Sequence, residues 1–340
     1  MSNALKSGAV SFGRKLKKTA RSSPVISRLA YNVWNASHFS NLFEHEQLLA
    51  DAGRCDTYAQ AIQACIKPGS VVVDVGTGTG LLAMLAARVE GTKVYAIDHS
   101  NLINLAEKVA IKNGFDNIHF IKTNSQTFKP DEKVDVILHE QIGDDLFEEN
   151  MVHNLLDLKK RILKPDGIIL PGRFKLYVEP VQVQPDFHTP FIDEINVHGL
   201  DFSLLKENAE SENLIPRDYA LRYMSPSGFE KRLTAPQPAI DIDLNKISST
   251  DEMLREIEIT RKFNQDGLMG GLGIWFDVVF NDDIQLSTSP FKRHTHWAHR
   301  LYRTPKIKAR KGESISYKLT MPDLIEALTW SIDITSKPNP

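Results

Sequence analysis

The sequence predicts an α/β protein with a doubly wound parallel sheet, followed by a mostly β, barrel-like domain. Three observations carry this prediction. Short apolar runs alternate with helical patterns as far as residue 170. A glycine-rich turn, Gly76-Thr77-Gly78-Thr79-Gly80, follows the first of these runs. After Pro171 the helical patterns stop and β patterns joined by polar stretches replace them.

The alternation opens with a helical pattern from Asn41 to Ile66, which Lys67-Pro68-Gly69 ends. Strands are predicted at the apolar runs 71–73, 94–97, 118–121, 134–138 and 168–170. Helices are predicted between them at 81–89, 102–113 and 155–163. Strands that alternate with helices of this length favour a parallel sheet covered on both faces.

The second half predicts strands at 177–181, 240–243, 274–280 and 314–321, with loops at 204–217 and 224–238. We therefore expect three regions: a basic, flexible arm at 1–37, an α/β domain with N-terminal helices at 38–170, and a β domain at 171–340.

Charge divides the chain in the same way. The formal net charge of the 340 residues is −2, but residues 1–43 contain seven Lys and Arg residues and no Asp or Glu. The remainder has 34 basic and 43 acidic groups and so carries −9. Such an acidic body can attract cationic substrates over a distance. The basic arm is typical of a solvated tail, a targeting segment or a contact with anionic surfaces.

Other classes are excluded or disfavoured. No apolar run approaches the ~20 residues of a transmembrane helix. Cys55 and Cys65 match no metal or redox motif, so we expect a reducing, cytoplasmic setting. His294, His296 and His299 are better explained by the motif around Thr295-His296-Trp297 than as zinc ligands, and we expect no metal. Nothing indicates specific nucleic-acid binding.

The glycine-rich turn lacks a glycine at position 81, which the G-x-G-x-x-G dinucleotide fingerprint requires. This favours a nucleoside without phosphates. Asp98 ends the second strand, where a carboxylate accepts hydrogen bonds from ribose hydroxyls, and Ser125-Gln126 follow the third strand near an adenine edge. We therefore predict a Rossmann-like S-adenosyl-L-methionine site that includes Asp74, Gly76 and Gly78.

Two glutamates follow the fourth strand in the segment His139-Glu140-Gln141-Ile142-Gly143-Asp144-Asp145-Leu146-Phe147-Glu148-Glu149. Glu140 and Glu149 are nine residues apart, so neither a helix nor a strand would bring them together. They converge if the segment folds back as a loop, which Gly143 permits. Two converging carboxylates make a fork for a planar guanidinium.

At this point the chain resembles the protein arginine N-methyltransferase family, which has a loop with two glutamates at this separation. His45-Glu46-Gln47-Leu48-Leu49-Ala50-Asp51-Ala52-Gly53-Arg54 resembles its H-E-x-M-L-x-D-x-x-R helix. Leu286-Ser287-Thr288-Ser289-Pro290 with Thr295-His296-Trp297 resembles its L-S-T-x-P…T-H-W segment, and 196–203 is similar to a segment early in its barrel domain.

The resemblance, over most of residues 38–320, implies roles for further residues. His45 and Arg54 would hold the carboxylate end of the cofactor, and an Asp51–His296 pair would support the site and relay a proton. Asp98 and Gln126 would bind the ribose and the adenine, at positions where the family usually has Glu. We also expect Trp297 to contact the substrate. The resemblance also implies that the domain at 38–170 binds the cofactor and that the barrel-like domain at 171–340 binds substrate and supports dimerisation. The family often forms head-to-tail dimers, so a homodimer is expected.

The chain departs from the family pattern at two other places. Asn35-Ala36-Ser37-His38-Phe39 stands where the family has Y-F-x-x-Y, and Gln141-Ile142 replaces Trp-Met. The predicted activity is methyl transfer to a guanidinium nitrogen, with arginine in a protein as the first candidate acceptor. Free arginine or another small guanidine or amine metabolite, and a catalytically silent cofactor-binding scaffold, are the alternatives.

Overall fold

A computed structural model describes residues 42–206 and 219–338. The basic arm at 1–37 and the motif at 35–39 lie outside the described residues, as does most of the predicted loop at 204–217. No helix among the described residues is long and apolar enough to cross a membrane.

Within residues 42–206, the first domain has five α-helices and five strands. The helices are α1 (Leu42–Ala50), α2 (Ala52–Cys65), α3 (Leu81–Ala87), α4 (Ile103–Lys112) and α5 (Met151–Ile162). The strands are β1 (Val71–Val75), β2 (Lys93–Asp98), β3 (Ile118–Lys122), β4 (Val134–His139) and β5 (Leu163–Leu170). All neighbouring strands are parallel, in the order β3-β2-β1-β4-β5. The predicted doubly wound sheet is confirmed.

One predicted element is divided in the structure. The helical pattern from 41 to 66 forms α1 and α2, with a break at Asp51. The Asp51 carboxylate accepts a hydrogen bond from the Arg54 backbone N–H and thereby caps α2. An apolar repeat at three- and four-residue steps continues across such a break and does not reveal it.

The second domain is antiparallel. Its strands are β6 (Arg173–Val183), β7 (Asn196–Val197), β8 (Leu200–Asp201), β9 (Leu221–Met224), β10 (Phe229–Arg232), β11 (Ile240–Asp243), β12 (Glu256–Lys262), β13 (Gly267–Val279), β14 (Gln285–Ser287), β15 (His299–Ala309), β16 (Ser314–Thr320) and β17 (Ser331–Ser336). β10-β6-β13-β15-β9 form a sheet that β11 and β14 extend to seven strands, and β12-β16-β17 form a second sheet. Pairing among the described strands closes no barrel.

Several strands were not predicted. β10 lies within the predicted loop 224–238, so that part of the prediction was wrong. β15 contains buried Arg300 and Arg303 as well as Pro305, which together hide its apolar alternation. The β13–β15 register shifts between Arg303 and Ile307. Pro305, which lacks an N–H, is accommodated at this irregularity.

The two domains share one apolar core, which runs from the parallel sheet and α5 into the antiparallel sheets. Polar contacts close the same boundary. The Lys159 ammonium donates to the carbonyls of Leu244, Asn245 and Ile247 at 2.7–2.9 Å. The Asn245 side chain also accepts from the Ile169 backbone N–H at 2.7 Å. The carboxyl ends of β1 and β4 therefore have a fixed relation to the second domain.

Candidate active site

The glycine-rich turn after β1 has a backbone that only glycine adopts readily. Gly76, Gly78 and Gly80 have φ of +72°, +53° and +83°. Asp74 lies beneath the turn and is 1% exposed. Its Oδ2 accepts hydrogen bonds from Thr77 Oγ1 at 2.6 Å and from the Ala83 N–H at 3.0 Å. Burial raises the pKa of Asp74 to about 7. Since its carboxylate is engaged inside the protein, we assign Asp74 to shaping the turn.

A cavity of about 580 Å³, counted with its open mouth, lies over the carboxyl ends of β1, β2 and β4. Four of the predicted cofactor residues line it: Gly76, Asp98, Ser125 and Gln126. Glu149, from the second motif, lines the same cavity. Sequence reasoning missed several other lining residues, namely His99, Asn124, Gln141 and Asn154. Residues predicted to bind the nucleoside cofactor and one of the two glutamates therefore line the same cavity.

The Asp98 carboxylate connects the end of β2 to the glycine turn. Its Oδ2 accepts from the Gly78 N–H at 3.0 Å and its Oδ1 accepts from the Ser100 N–H at 2.7 Å. A carboxylate has about four acceptor sites. The two backbone bonds orient Asp98 and leave capacity for hydroxyl donors in the cavity.

His45 and Arg54 lie on the other side of the turn. A Cβ added to Gly78 would be 2.8 Å from His45 Cε1, so His45 packs directly on this glycine. Arg54 is 5% exposed, and its Nη2 lies 3.4 Å from Glu140 Oε2. Its Nε and Nη1 are buried and have no hydrogen-bond partner within residues 42–206 and 219–338. A buried donor without a partner calls for an acceptor, and a ligand carboxylate of the kind the cofactor prediction requires would supply one.

Glu140 and Glu149 belong to a segment that folds back on itself, which we call the acidic loop (residues 140–150). The Leu146 N–H donates to the Gly143 carbonyl at 3.0 Å. A Cβ added to Gly143 would be 2.4 Å from Glu148 Cβ, so only glycine fits there. Leu146, Glu149 and Asn150 have positive φ of 70°, 65° and 56°. Three residues other than glycine are thus held in the left-handed region.

The acidic loop concentrates negative charge in a poorly solvated place. Burial raises the pKa of Glu140 to about 7, despite the lowering effect of Arg54. Burial and the charges of Glu140, Glu148 and Asp144 raise the pKa of Glu149 to about 8. Glu140 is thus one of the charges that act on Glu149. A cation bound near a carboxylate favours its ionised form and would oppose these shifts.

Asp51 and His296 form a pair across the domain boundary. Asp51 Oδ2 accepts from the His296 backbone N–H at 2.9 Å and lies 3.0 Å from His296 Nδ1. Burial lowers the pKa of His296, and the Asp51 hydrogen bond opposes this shift. Burial raises the pKa of Asp51, but the hydrogen bonds from Arg54 and His296 outweigh it and lower the pKa. The pair leaves Nε2 as the ring atom available for proton exchange.

Trp297 is 2% exposed, and its indole N–H donates to the Ile142 carbonyl at 2.8 Å. The ring lies edge-on to Phe276 at 5.6 Å. These contacts hold the acidic loop against the second domain. Trp297 thus helps to shape the site, and the substrate contact expected from the motif stays a prediction.

His139, which sequence reasoning did not single out, holds the start of the acidic loop. The residue is fully buried, and its Nε2 lies 2.9 Å from the Pro171 carbonyl. The Gln141 backbone N–H donates to its Nδ1 at 3.3 Å. Burial lowers the pKa of His139 to about 4, so the ring is neutral with its proton on Nε2.

The fold and the site together define an S-adenosyl-L-methionine-dependent methyltransferase of the Rossmann-like class. A family model described as a methyltransferase domain matches residues 66–203, and one described as an arginine methyltransferase oligomerization subdomain matches 173–331. The chain is 31% identical over 293 residues to protein arginine N-methyltransferase 6 of Xenopus laevis, covering 83% of this chain and 84% of the relative. It therefore belongs to the protein arginine N-methyltransferase family.

Further comparisons agree. The Danio rerio protein arginine N-methyltransferase 6 is 33% identical over 270 residues, covering 76% of this chain and 75% of the relative. The solved PRMT1 enzyme–prozyme heterotetrameric complex with AdoHcy from Trypanosoma brucei matches with a TM-score of 0.70 and 26% identity, covering 83% of this chain and 88% of that one. Arabidopsis thaliana protein arginine methyltransferase 10 matches with a TM-score of 0.67, 25% identity and the same coverage. These likenesses confirm the fold class.

Proposed function

We propose that this methyltransferase transfers a methyl group to a guanidinium nitrogen of arginine in a protein, with Glu140 and Glu149 as the clamp for the guanidinium. The observation that carries the proposal is that Glu149 lines the cavity that also contains Gly76 and Asp98. A residue suited to a cation and residues suited to a nucleoside thus face one space. The family names of the relatives support arginine as the acceptor.

The cofactor would be held by groups on both sides of the glycine turn. Arg54 would bind its carboxylate through an unpartnered donor, Asp98 its ribose hydroxyls, and Ser125 and Gln126 its adenine. His45 would pack beside the turn at Gly78. When bound, S-adenosyl-L-methionine supplies an electrophilic methyl group on its sulfonium.

The carboxylates would act on the charge distribution of the acceptor. A guanidinium keeps its proton at any ordinary pH and is a poor nucleophile. Two carboxylates on one side concentrate the positive charge on the nitrogens that they hold and leave more lone-pair density on the nitrogen that faces the methyl group. Fixed geometry then lowers the barrier by as much as about 7–11 kcal/mol.

The Asp51–His296 pair would remove the proton that the methylated nitrogen loses. Asp51 orients the ring through Nδ1 at 3.0 Å, so Nε2 is the atom that accepts. The lowered pKa of His296 keeps the ring neutral, and therefore able to accept a proton, at physiological pH. Proton transfer of this kind contributes about 10²–10⁴-fold.

We further propose a homodimer in a reducing, cytoplasmic setting. The second domain matches a family model described as an oligomerization subdomain. Apolar side chains of residues 196–206 support an interface because four of them are exposed: Val197, Leu200, Leu204 and Leu205. Both cysteines are free thiols, which suits a reducing setting. Sedimentation of the purified chain tests the assembly, and a monomer at micromolar concentration would contradict it.

Labelled S-adenosyl-L-methionine incubated with arginine-rich peptides, free arginine and a small amine separates the candidate acceptors. Label in the peptides, at arginine nitrogens, supports the proposal. Label in free arginine alone would reassign the substrate to a small molecule. Cofactor binding without transfer to any of the three would indicate a silent scaffold.

The variant Glu140→Gln tests the clamp. It keeps the size and a hydrogen-bond acceptor for Arg54 but removes the charge, so transfer should fall by at least about 10³-fold. The cofactor Kd, measured by calorimetry, should change less than about threefold. Glu148→Gln is the matched comparison, since it removes one charge from the same loop and should lose less than about tenfold. Equal losses in the two variants would show that overall charge matters rather than the clamp.

A further inference from the structure

The acidic loop is anchored to the second domain by a short stretch at the start of β15. Besides the Trp297 indole on the Ile142 carbonyl, the Ala298 backbone N–H donates to Asp144 Oδ1 at 2.8 Å. Arg300 reaches Asp145 with Nε at 2.9 Å from Oδ1 and Nη2 at 2.5 Å from Oδ2. Three of the four residues 297–300 thus supply every one of these anchors.

The Asp145–Arg300 ion pair is bidentate and buried. The side chains are 2% and 6% exposed, respectively. The Tyr223 ring covers the guanidinium, with its centroid 3.8 Å from the central carbon. Arg300 and Tyr223 are direct partners in the β15–β9 register, so the sheet itself sets this stacking. A stacked, bidentate arginine fixes both the position and the plane of its carboxylate partner.

This pair stands next to the strained part of the acidic loop. Asp145 precedes Leu146, the first of the three residues with positive φ, and lies four positions before Glu149. Its backbone N–H also donates to Glu148 Oε2 at 3.3 Å. A conformation that these residues do not adopt by preference persists only where the surroundings hold it.

We propose that Asp145, Arg300 and Tyr223 form a positioning device that holds the acidic loop so that Glu149 faces the cavity. This inference rests on the proposed function, in which Glu149 binds the guanidinium. The device connects the substrate side of the site to the β15–β9 edge of the second domain. Movement of that edge would therefore change how the acceptor is held, while the cofactor residues would stay in place.

A simple contribution to stability is the competing explanation. The second domain contains a buried pair that allows the two to be separated. Glu179 and Arg261 are 0% and 7% exposed, with Nε 2.7 Å from Oε1. Glu179 also accepts from Thr234 Oγ1 at 2.6 Å, and among the described residues no hydrogen bond or ion pair joins Glu179 or Arg261 to the acidic loop. Arg261→Lys is therefore the matched control for Arg300→Lys, because both variants keep the positive charge and lose the planar guanidinium with its several N–H donors.

The experiment compares these two variants with Tyr223→Ala and Tyr223→Phe. Measured quantities are kcat and KM for an arginine peptide, the cofactor Kd, the Tm, and hydrogen exchange of residues 143–150. Arg300→Lys should lower kcat at least about tenfold, accelerate exchange in the loop and leave the cofactor Kd within about twofold. Arg261→Lys should lower Tm and leave exchange in the loop unchanged. Tyr223→Ala should reproduce part of the Arg300→Lys loss. Tyr223→Phe keeps the ring and should behave like the unaltered chain.

Hydrogen exchange keeps the test independent of the proposed activity. If the unaltered chain methylates no arginine, the proposed function fails, and loop exchange still decides the positioning inference. Loop exchange that is unchanged in Arg300→Lys, or accelerated equally in Arg261→Lys, would overturn the inference. If Arg300→Lys does not fold, the Tyr223 variants decide, because Tyr223 is 63% exposed and its truncation leaves the core intact.

Discussion

The two halves of the site are held in different ways. The glycine turn is fixed from nearby in the chain: Thr77 and Ala83 donate to Asp74, and Gly78 donates to Asp98, over separations of 3, 9 and 20 residues. The acidic loop is fixed from far away, because the Arg300–Asp145 contact spans 155 residues and the Arg54–Glu140 contact spans 86. The contacts of the glycine turn are therefore encoded locally, whereas the acidic loop also depends on contacts with the second domain.

This difference predicts that damage at the domain boundary affects catalysis and that damage in the turn affects cofactor affinity. The largest effect is expected for Asp51→Asn. Asparagine keeps the acceptor that caps α2 but loses a carboxylate oxygen for His296, so kcat should fall about 10²–10⁴-fold. The cofactor Kd, measured by calorimetry, should change less than about threefold.

His296→Gln and the double variant complete this test. If Asp51 and His296 act as one unit, the double variant should be no slower than the slower single variant. Multiplicative losses in the double variant would show that the two residues act separately. They would also remove the proton-relay assignment.

The sequence alone was sufficient to predict the strand, turn and strand-end carboxylate that make up the glycine-turn region. The strand, the glycines and Asp98 lie within 28 residues, 71–98, and their spacing determines their geometry. The convergence of Glu140 and Glu149 could be proposed because Gly143 permits the loop. Arg300 gave no such signal, since a basic residue in a polar stretch is more often solvated. Its burial depends on the pairing of β15 with β9, which no local pattern specifies.

The acidic loop should also make activity depend on pH. Burial raises the pKa of Glu140 to about 7, and burial with neighbouring charges raises that of Glu149 to about 8. Both carboxylates must be ionised to hold a guanidinium, which itself does not titrate in this range. kcat/KM for the acceptor should therefore rise with pH from 6 to 8, by about tenfold between pH 7 and 8 and more steeply below pH 7, where both carboxyls must lose a proton.

Initial rates at low acceptor and saturating cofactor measure this profile. Under these conditions kcat/KM for the acceptor reports the enzyme that has bound cofactor but no acceptor. The apparent pKa values should therefore belong to the carboxylates before the acceptor binds. A flat profile between pH 6 and 8 would show that both carboxylates are already ionised, and that the acidic loop is better solvated than its burial indicates.

The smallest of these effects is expected for Gly78→Ala, which tests the glycine turn most directly. Gly78 has φ of +53°, and an added Cβ would lie 2.8 Å from His45 Cε1, so both the backbone and the neighbouring ring must adjust. The backbone cost is about 1–2 kcal/mol. We expect the cofactor Kd to increase about tenfold, with kcat near that of the unaltered chain once cofactor saturates.

Gly114→Ala is the control, because φ is +81° there and nothing lies within 4 Å of the added Cβ. It should lower the free energy of unfolding similarly and leave the cofactor Kd unchanged. If Gly78→Ala instead lowered kcat at saturating cofactor, the two halves of the site would be coupled through His45 and Arg54, and the separation of local from long-range support would not hold.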